Sequence, residues 1–175
     1  RGMLDNAIEE YSVAFKQQSD FFEACFNLAN VYDKKGQYKK ALDTYLNCRK
    51  LKPSFPKIYL AIGNVFIKTG NLDKAFEYYS RAVELDRNYH LAKIAVANVF
   101  VMKGKFSKAI EIYQQAIKSD PSNFKVHNNL GLVFLQHMND PAQAAYHLKK
   151  SLDISPDQQK AVLLRELIKN LNKDK

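Results

Sequence analysis

The chain has 175 residues, 46% of them hydrophobic and 26% charged, a balance that suits one packed domain and excludes a disordered chain. Its formal charge is +9, but the lysines run along the whole length (Lys34, Lys35, Lys39, Lys40, Lys68, Lys74, Lys103, Lys105, Lys108) without an arginine-rich block, so most of that charge reads as a solvated face. The longest apolar stretch, Leu91 to Met102, is broken by Lys93 and Asn98 and is shorter than the roughly 20 residues of a bilayer span, which excludes a membrane-spanning helix.

In chain order, Arg1-Gly2-Met3-Leu4 carry no export segment, and residues 1–18 read as one helix with Ala7, Tyr11 and Ala14 in helical register. Helix pairs follow at 22–55, 56–89, 90–123 and 124–157. In the first pair Leu28, Ala29 and Tyr32 share one stripe, and Gly36 then stops the helix by accepting a backbone conformation costly to other residues. A second helix carries Ala41, Leu42, Tyr45 and Cys48 at helical spacing, and Pro53 ends the unit because it cannot continue the hydrogen-bond ladder.

The later pairs repeat this plan in step. Gly2, Gly36, Gly70 and Gly104 are each 34 residues apart, as are Ala7, Ala41, Ala75 and Ala109, and Tyr11, Tyr45, Tyr79 and Tyr113. Ala14, Cys48, Ala82 and Ala116 form a small-residue ladder, and Tyr32, Phe66, Phe100 and Phe134 an aromatic one. In the last pair Ala144 and Pro156 come 35 residues after Ala109 and Pro121, which places one inserted residue in the turn His137-Met138-Asn139-Asp140. Asp140 then caps the second helix, with Pro141 at its first position. A final helix, 158–172, has Val162, Leu163, Leu167, Ile168 and Leu171 on an apolar side and Lys160, Arg165, Glu166, Lys169 and Lys173 on a charged one, and reads as a cap, not a membrane anchor.

Small residues at Ala29, Gly63, Ala97 and Gly131, and at Ala41, Ala75 and Ala109, let paired helices approach closely, while Tyr45 and its equivalents are expected to fill the gap between neighbouring hairpins. Phe21, Phe55 and Tyr89, also 34 residues apart, lie between hairpins and read as packing, not a base-stacking platform. The helix at 1–18 reads as the second helix of a truncated repeat. Its apolar face is uncovered on one side, so more protein is expected to precede it, and the face offers a surface for self-association.

Little is left for chemistry. Cys25 and Cys48 are too far apart in sequence for a zinc pair or a redox C-x-x-C and read as buried free thiols in a reducing compartment. His90, His127, His137 and His147 include no i, i+4 pair, so no metal is expected. All four repeat glycines are assigned to turns, and no phosphate loop, nucleophile elbow or paired-carboxylate signature appears. The expectation is no enzyme, no cofactor and no small-molecule substrate, in the cytoplasm.

Leu28-Ala29-x-x-Tyr32, Gly36, Ala41, Tyr45, Cys48 and Pro53, with their 34-residue echoes, resemble the tetratricopeptide repeat (TPR) family. The Trp often found early in the family's first helix is replaced by Cys25, Tyr59, Lys93 and His127. The resemblance implies an all-α fold, a right-handed superhelical solenoid of stacked antiparallel helix hairpins whose first helices line a concave groove.

Phe26 and Asn30 are one turn apart but two residues from core positions, a rotation of about 200°, so they leave the core stripe for the groove. The same face carries Leu60 with Asn64, Ile94 with Asn98, and Asn128 with Leu132; Asn27 and Asn129 lie beside it, and Lys57 and Lys125 point toward it. A row of asparagines, each with a donor and an acceptor, suits the backbone of an extended peptide. A similar ladder lines the repeat domain of O-linked N-acetylglucosamine transferases. The family's carboxylate clamp for chaperone tails fits less well: Asn98, Asn129 and Lys160 match its register, but Ile94 and Leu164 stand where Lys and Arg would. The reading is an interaction scaffold holding a peptide or neighbouring subunit; the alternative is the substrate-recruiting arm of a larger enzyme, and nucleic-acid binding by the basic edge at Lys34, Lys35, Lys39 and Lys40 ranks last.

Overall fold

A computed structural model describes residues 2–17 and 21–171, and among these every regular element is an α-helix. They are α1 (Gly2–Gln17), α2 (Phe22–Lys34), α3 (Tyr38–Leu51), α4 (Pro56–Lys68), α5 (Leu72–Leu85), α6 (His90–Met102), α7 (Phe106–Ser119), α8 (Phe124–Gln136), α9 (Pro141–Ile154) and α10 (Ala161–Leu171). The side chain of Ala14, and residues Gln18, Asn172 and Lys173, lie outside what is described. The chain forms two compact units, Arg1–Ala92 and Lys93–Lys175, divided within α6.

In the first unit each helix from α1 to α5 packs on the next. Gly36 and Gly70 take φ of 72° and 79°, the left-handed region that a side chain disfavours. Their turns close in the same way: Gln37 N–H donates to Tyr32 O at 2.9 Å, and Asn71 N–H to Phe66 O at 2.9 Å, the reach-back bond that satisfies a helix's last carbonyls. Gly2, assigned to a turn from its place in the ladder, is instead the first residue of α1.

The second unit has its core between α6, α7 and α8, where Ala97, Ala109, Tyr113, Ala116, Val126, Leu130 and Val133 cluster. Its first turn repeats the pattern, with Gly104 at φ 69° and Lys105 N–H on Phe100 O at 2.8 Å. The next turn is wider by one residue. There Asp140 N–H reaches Phe134 O at 3.1 Å, Asn139 takes φ 50°, and Asp140 caps α9 by accepting from Gln143 N–H at 3.0 Å. An Asn tolerates the left-handed region better than most residues, so the glycine is dispensable here.

Two expectations are corrected. Cys25 and Cys48 are not free thiols but a disulfide: with both wholly buried, α2 and α3 bring their Cα atoms to 5.7 Å. Their 23-residue separation says nothing of distance once a hairpin folds back, and the thiol argument for a reducing compartment goes with it. In α10 the buried side is Ala161 and Leu164, with Leu167, Ile168 and Leu171 half-buried; Val162 and Leu163 are 72% and 51% exposed, because they lie about 100° and 200° round the helix from Ala161. The tyrosines expected between hairpins do more than fill a gap: Tyr45, Tyr79 and Tyr113 each reach back with the hydroxyl to the first helix of their own, while the Tyr113 side chain clusters with Val126, Leu130 and Val133 of the next hairpin, as expected.

Candidate functional site

The second helix of each of the first three full hairpins carries a buried tyrosine whose hydroxyl finds an asparagine on the first helix. Tyr45 Oη donates to Asn30 Oδ1 at 2.6 Å, Tyr79 to Asn64 Oδ1 at 2.7 Å, and Tyr113 to Asn98 Oδ1. Burial pushes the Tyr79 and Tyr113 phenols up to about 12, and burial together with the Asp33 charge raises Tyr45 as well. All three therefore stay protonated donors near neutral pH.

The bond fixes each amide. With Oδ1 turned to the tyrosine, the Nδ2 donors of Asn30 and Asn64 have no partner among the described residues. Asn98 Oδ1 also accepts from Asn129 Nδ2 at 3.0 Å, which ties α6 to α8. The sequence shows the tyrosine and asparagine ladders separately; their constant offset of 15 residues is the signal that joins them.

The other predicted positions divide. Phe26 is half-buried in an aromatic cluster, its centroid 5.8 Å from Phe22, 5.7 Å from Tyr45 and 6.0 Å from Phe55, so much of its ring serves packing. It shares Tyr45 with Asn30. Asn27 and Lys57 are exposed and Leu60 is half-buried. In the second unit Ile94, Asn98, Lys125, Asn128 and Asn129 all line one cleft of about 470 Å³. Asn128 is its buried floor, 7% exposed, with Nδ2 on Gln158 Oε1 at 2.5 Å. Gln158, missed from sequence, precedes α10 and is held by Ser151 O, Ser151 Oγ and Ser155 O at 3.0–3.1 Å.

The basic edge is largely occupied by the hairpins themselves. Lys40 lies over the Tyr32 ring at 5.6 Å, Lys74 over Phe66 at 5.3 Å and Lys108 over Phe100 at 5.9 Å, one ladder covering another. Lys35 pairs with Asp5, and Lys68 with Asp33 at 2.6 Å.

The position that departs from the family's Trp is filled differently each time. Cys25 is in the disulfide, Tyr59 donates its hydroxyl to Pro53 O at 2.6 Å, and His127 meets His147, Nδ1 to Nδ1, at 3.0 Å. Spacing along the chain hides these pairs. The two cysteines stand at mirrored places about a turn: Cys25 is 11 residues before Gly36 and Cys48 is 12 after it.

Tandem helical hairpins, closed by left-handed turns and packed through small residues, define a helical repeat protein. The tetratricopeptide repeat model matches residues 22–55 and 56–89, and a second TPR repeat model matches 97–137, together more than half of the chain. The chain belongs to the tetratricopeptide repeat family.

Solved structures share the fold. YrrB, described as a TPR protein with an unusual peptide-binding site, is 24% identical over 94% of this chain and 84% of its own, with a TM-score of 0.72. MamA is 23% identical over 91% of this chain and 92% of its own, with a TM-score of 0.77. TTC0263, a thermophilic TPR protein in Thermus thermophilus, is 19% identical over 97% of this chain and 91% of its own, with a TM-score of 0.76. Among curated proteins none matches.

Proposed function

We propose that this chain is an interaction scaffold that catalyses nothing and holds an extended peptide, or a segment of a neighbouring subunit, on first-helix faces within each unit, bearing Asn30 and Asn64 in the first and Asn98 and Asn129 in the second. The observation that carries the reading is the tyrosine-pinned amide, repeated in three hairpins. An amide whose oxygen is already bonded presents its nitrogen in a set direction, so a guest carbonyl meets an oriented donor without the cost of ordering it. Backbone recognition of this kind is indifferent to most guest side chains. The peptide-binding site ascribed to YrrB, a relative in fold, agrees with it.

The test is a set of peptides selected on the purified protein, measured again on a variant with Asn30→Ala, Asn64→Ala and Asn98→Ala combined. Affinity is expected to fall at least about tenfold, since each lost bond contributes on the order of 1 kcal/mol, with far-UV circular dichroism unchanged. Unaltered affinity in a folded variant overturns the assignment.

A further inference from the structure

Two clefts in the second unit meet at the Asn98–Asn129 bond. The larger, of about 470 Å³, is flanked by Lys125 and Lys160 and has no acidic residue in its lining. Lys125 lies over the Phe124 ring at 5.9 Å, and neither lysine pairs with a carboxylate among the described residues. At its floor, Gln158 is held by three acceptors, so its Oε1 faces Asn128 and takes Asn128 Nδ2. Asn128 Oδ1 is left buried with no donor. The smaller cleft, of about 260 Å³, has Val101, Met102, Leu132 and Val133 in its lining, with Gln136 and His137 also lining it, and Met102 is 56% exposed.

We propose that this unit binds an internal segment of extended peptide, with an acidic side chain seated between Lys125 and Lys160 and an apolar side chain in the pocket beyond the Asn98–Asn129 bond. The proposal rests on the scaffold reading above and supplies the chemistry of the guest. Charge selects it: a carboxylate entering the larger cleft meets two ammonium groups that no carboxylate neutralises, whereas a basic side chain meets like charge. The guest backbone crosses the amide bridge, where Asn98 and Asn129 offer hydrogen-bonding groups. A strand advances roughly 3.3 Å per residue, so acid and apolar side chains fall a few residues apart. The carboxylate belongs to a side chain, not to a chain end, because this face adds no further cation: its neighbouring positions hold Ile94 and the wholly buried Leu164.

The experiment probes the full chain with a positional-scanning array of short peptides, N-acetylated and C-amidated, and then measures the selected sequences in solution. Bound peptides should share one Asp or Glu a few residues from an apolar residue, and restoring a free carboxyl terminus should not tighten them. Joint Lys125→Glu and Lys160→Glu substitution, on exposed positions that leave the core untouched, should weaken those peptides about tenfold or more and shift the array toward Lys or Arg. Met102→Glu should erase the apolar preference and keep the acidic one. Bound peptides without an acidic residue, binding that requires a free terminus, or a charge reversal with no effect each overturn this inference while leaving the scaffold reading in place. An array with no bound peptide overturns both.

Discussion

A Cβ placed on Gly63 would lie 2.4 Å from Cε1 and 2.5 Å from Cδ1 of Tyr79. The missing side chain of α4 is thus the seat of the α5 tyrosine ring, and the ring's hydroxyl in turn holds Asn64. Gly63→Ala should destabilise the protein by about 1–3 kcal/mol, the usual range for overpacking a filled core. The chain has no tryptophan, so urea denaturation followed by far-UV circular dichroism is the measurement. An unchanged midpoint would show that the ring moves aside without cost.

Tyr79→Phe separates packing from hydrogen bonding at the same place. The ring stays, Gly63 keeps its neighbour, and Asn64 Oδ1 loses its donor. Stability is expected to drop by about 1 kcal/mol, the net value of one such bond. Peptide affinity should drop as well, since the Asn64 amide is then free to rotate. Lost stability with fully retained affinity would mean that the pinned amide is structural only.

The hairpin plan was legible because five ladders of small, aromatic and glycine positions advance together at one period of 34 residues. Helical periodicity also sets Asn30, Asn64 and Asn98 off the core stripe, where each accepts from a tyrosine of the following helix. It could not show what each touches, because periodicity describes one helix and these contacts join two. Tyr45 to Asn30, Cys25 to Cys48 and His127 to His147 all cross a turn. Gln158 was invisible for another reason: its part depends on the path of the segment before α10, which no repeat constrains.

The disulfide predicts a redox-dependent stability. Crosslinking residues 23 apart restricts the unfolded chain by about 3 kcal/mol in the loop-entropy account. Reductant should therefore lower the denaturation midpoint of the native protein and leave a Cys25→Ala, Cys48→Ala variant unmoved. Thiol titration in denaturant gives the direct count: none before reduction, two after. Two reactive thiols in protein purified without reductant would sink the assignment.

The buried histidine pair predicts a pH dependence of definite sign. Burial and the neighbouring His127 hold His147 down to about 4, and burial lowers His127 too. Nδ1 faces Nδ1 at 3.0 Å, so one ring donates and the other accepts, and a second proton would set two donors and two charges against each other. Lys150 adds to the penalty on His127, while the Phe134 and Tyr146 rings near His147 offer no compensating anion. In the unfolded chain a histidine takes its proton near 6.5. Between that value and about 4 the unfolded state binds more protons than the folded one, so the stabilisation is complete above the upper limit and is lost as pH falls through the lower. The full effect is about 3 kcal/mol at most, at 1.36 kcal/mol per unit. Urea midpoints at about pH 7.5 and about pH 4.5 should differ more for the native protein than for His147→Gln, which keeps a partner for His127 but cannot titrate. Equal losses in the two proteins would assign the acid sensitivity to other groups.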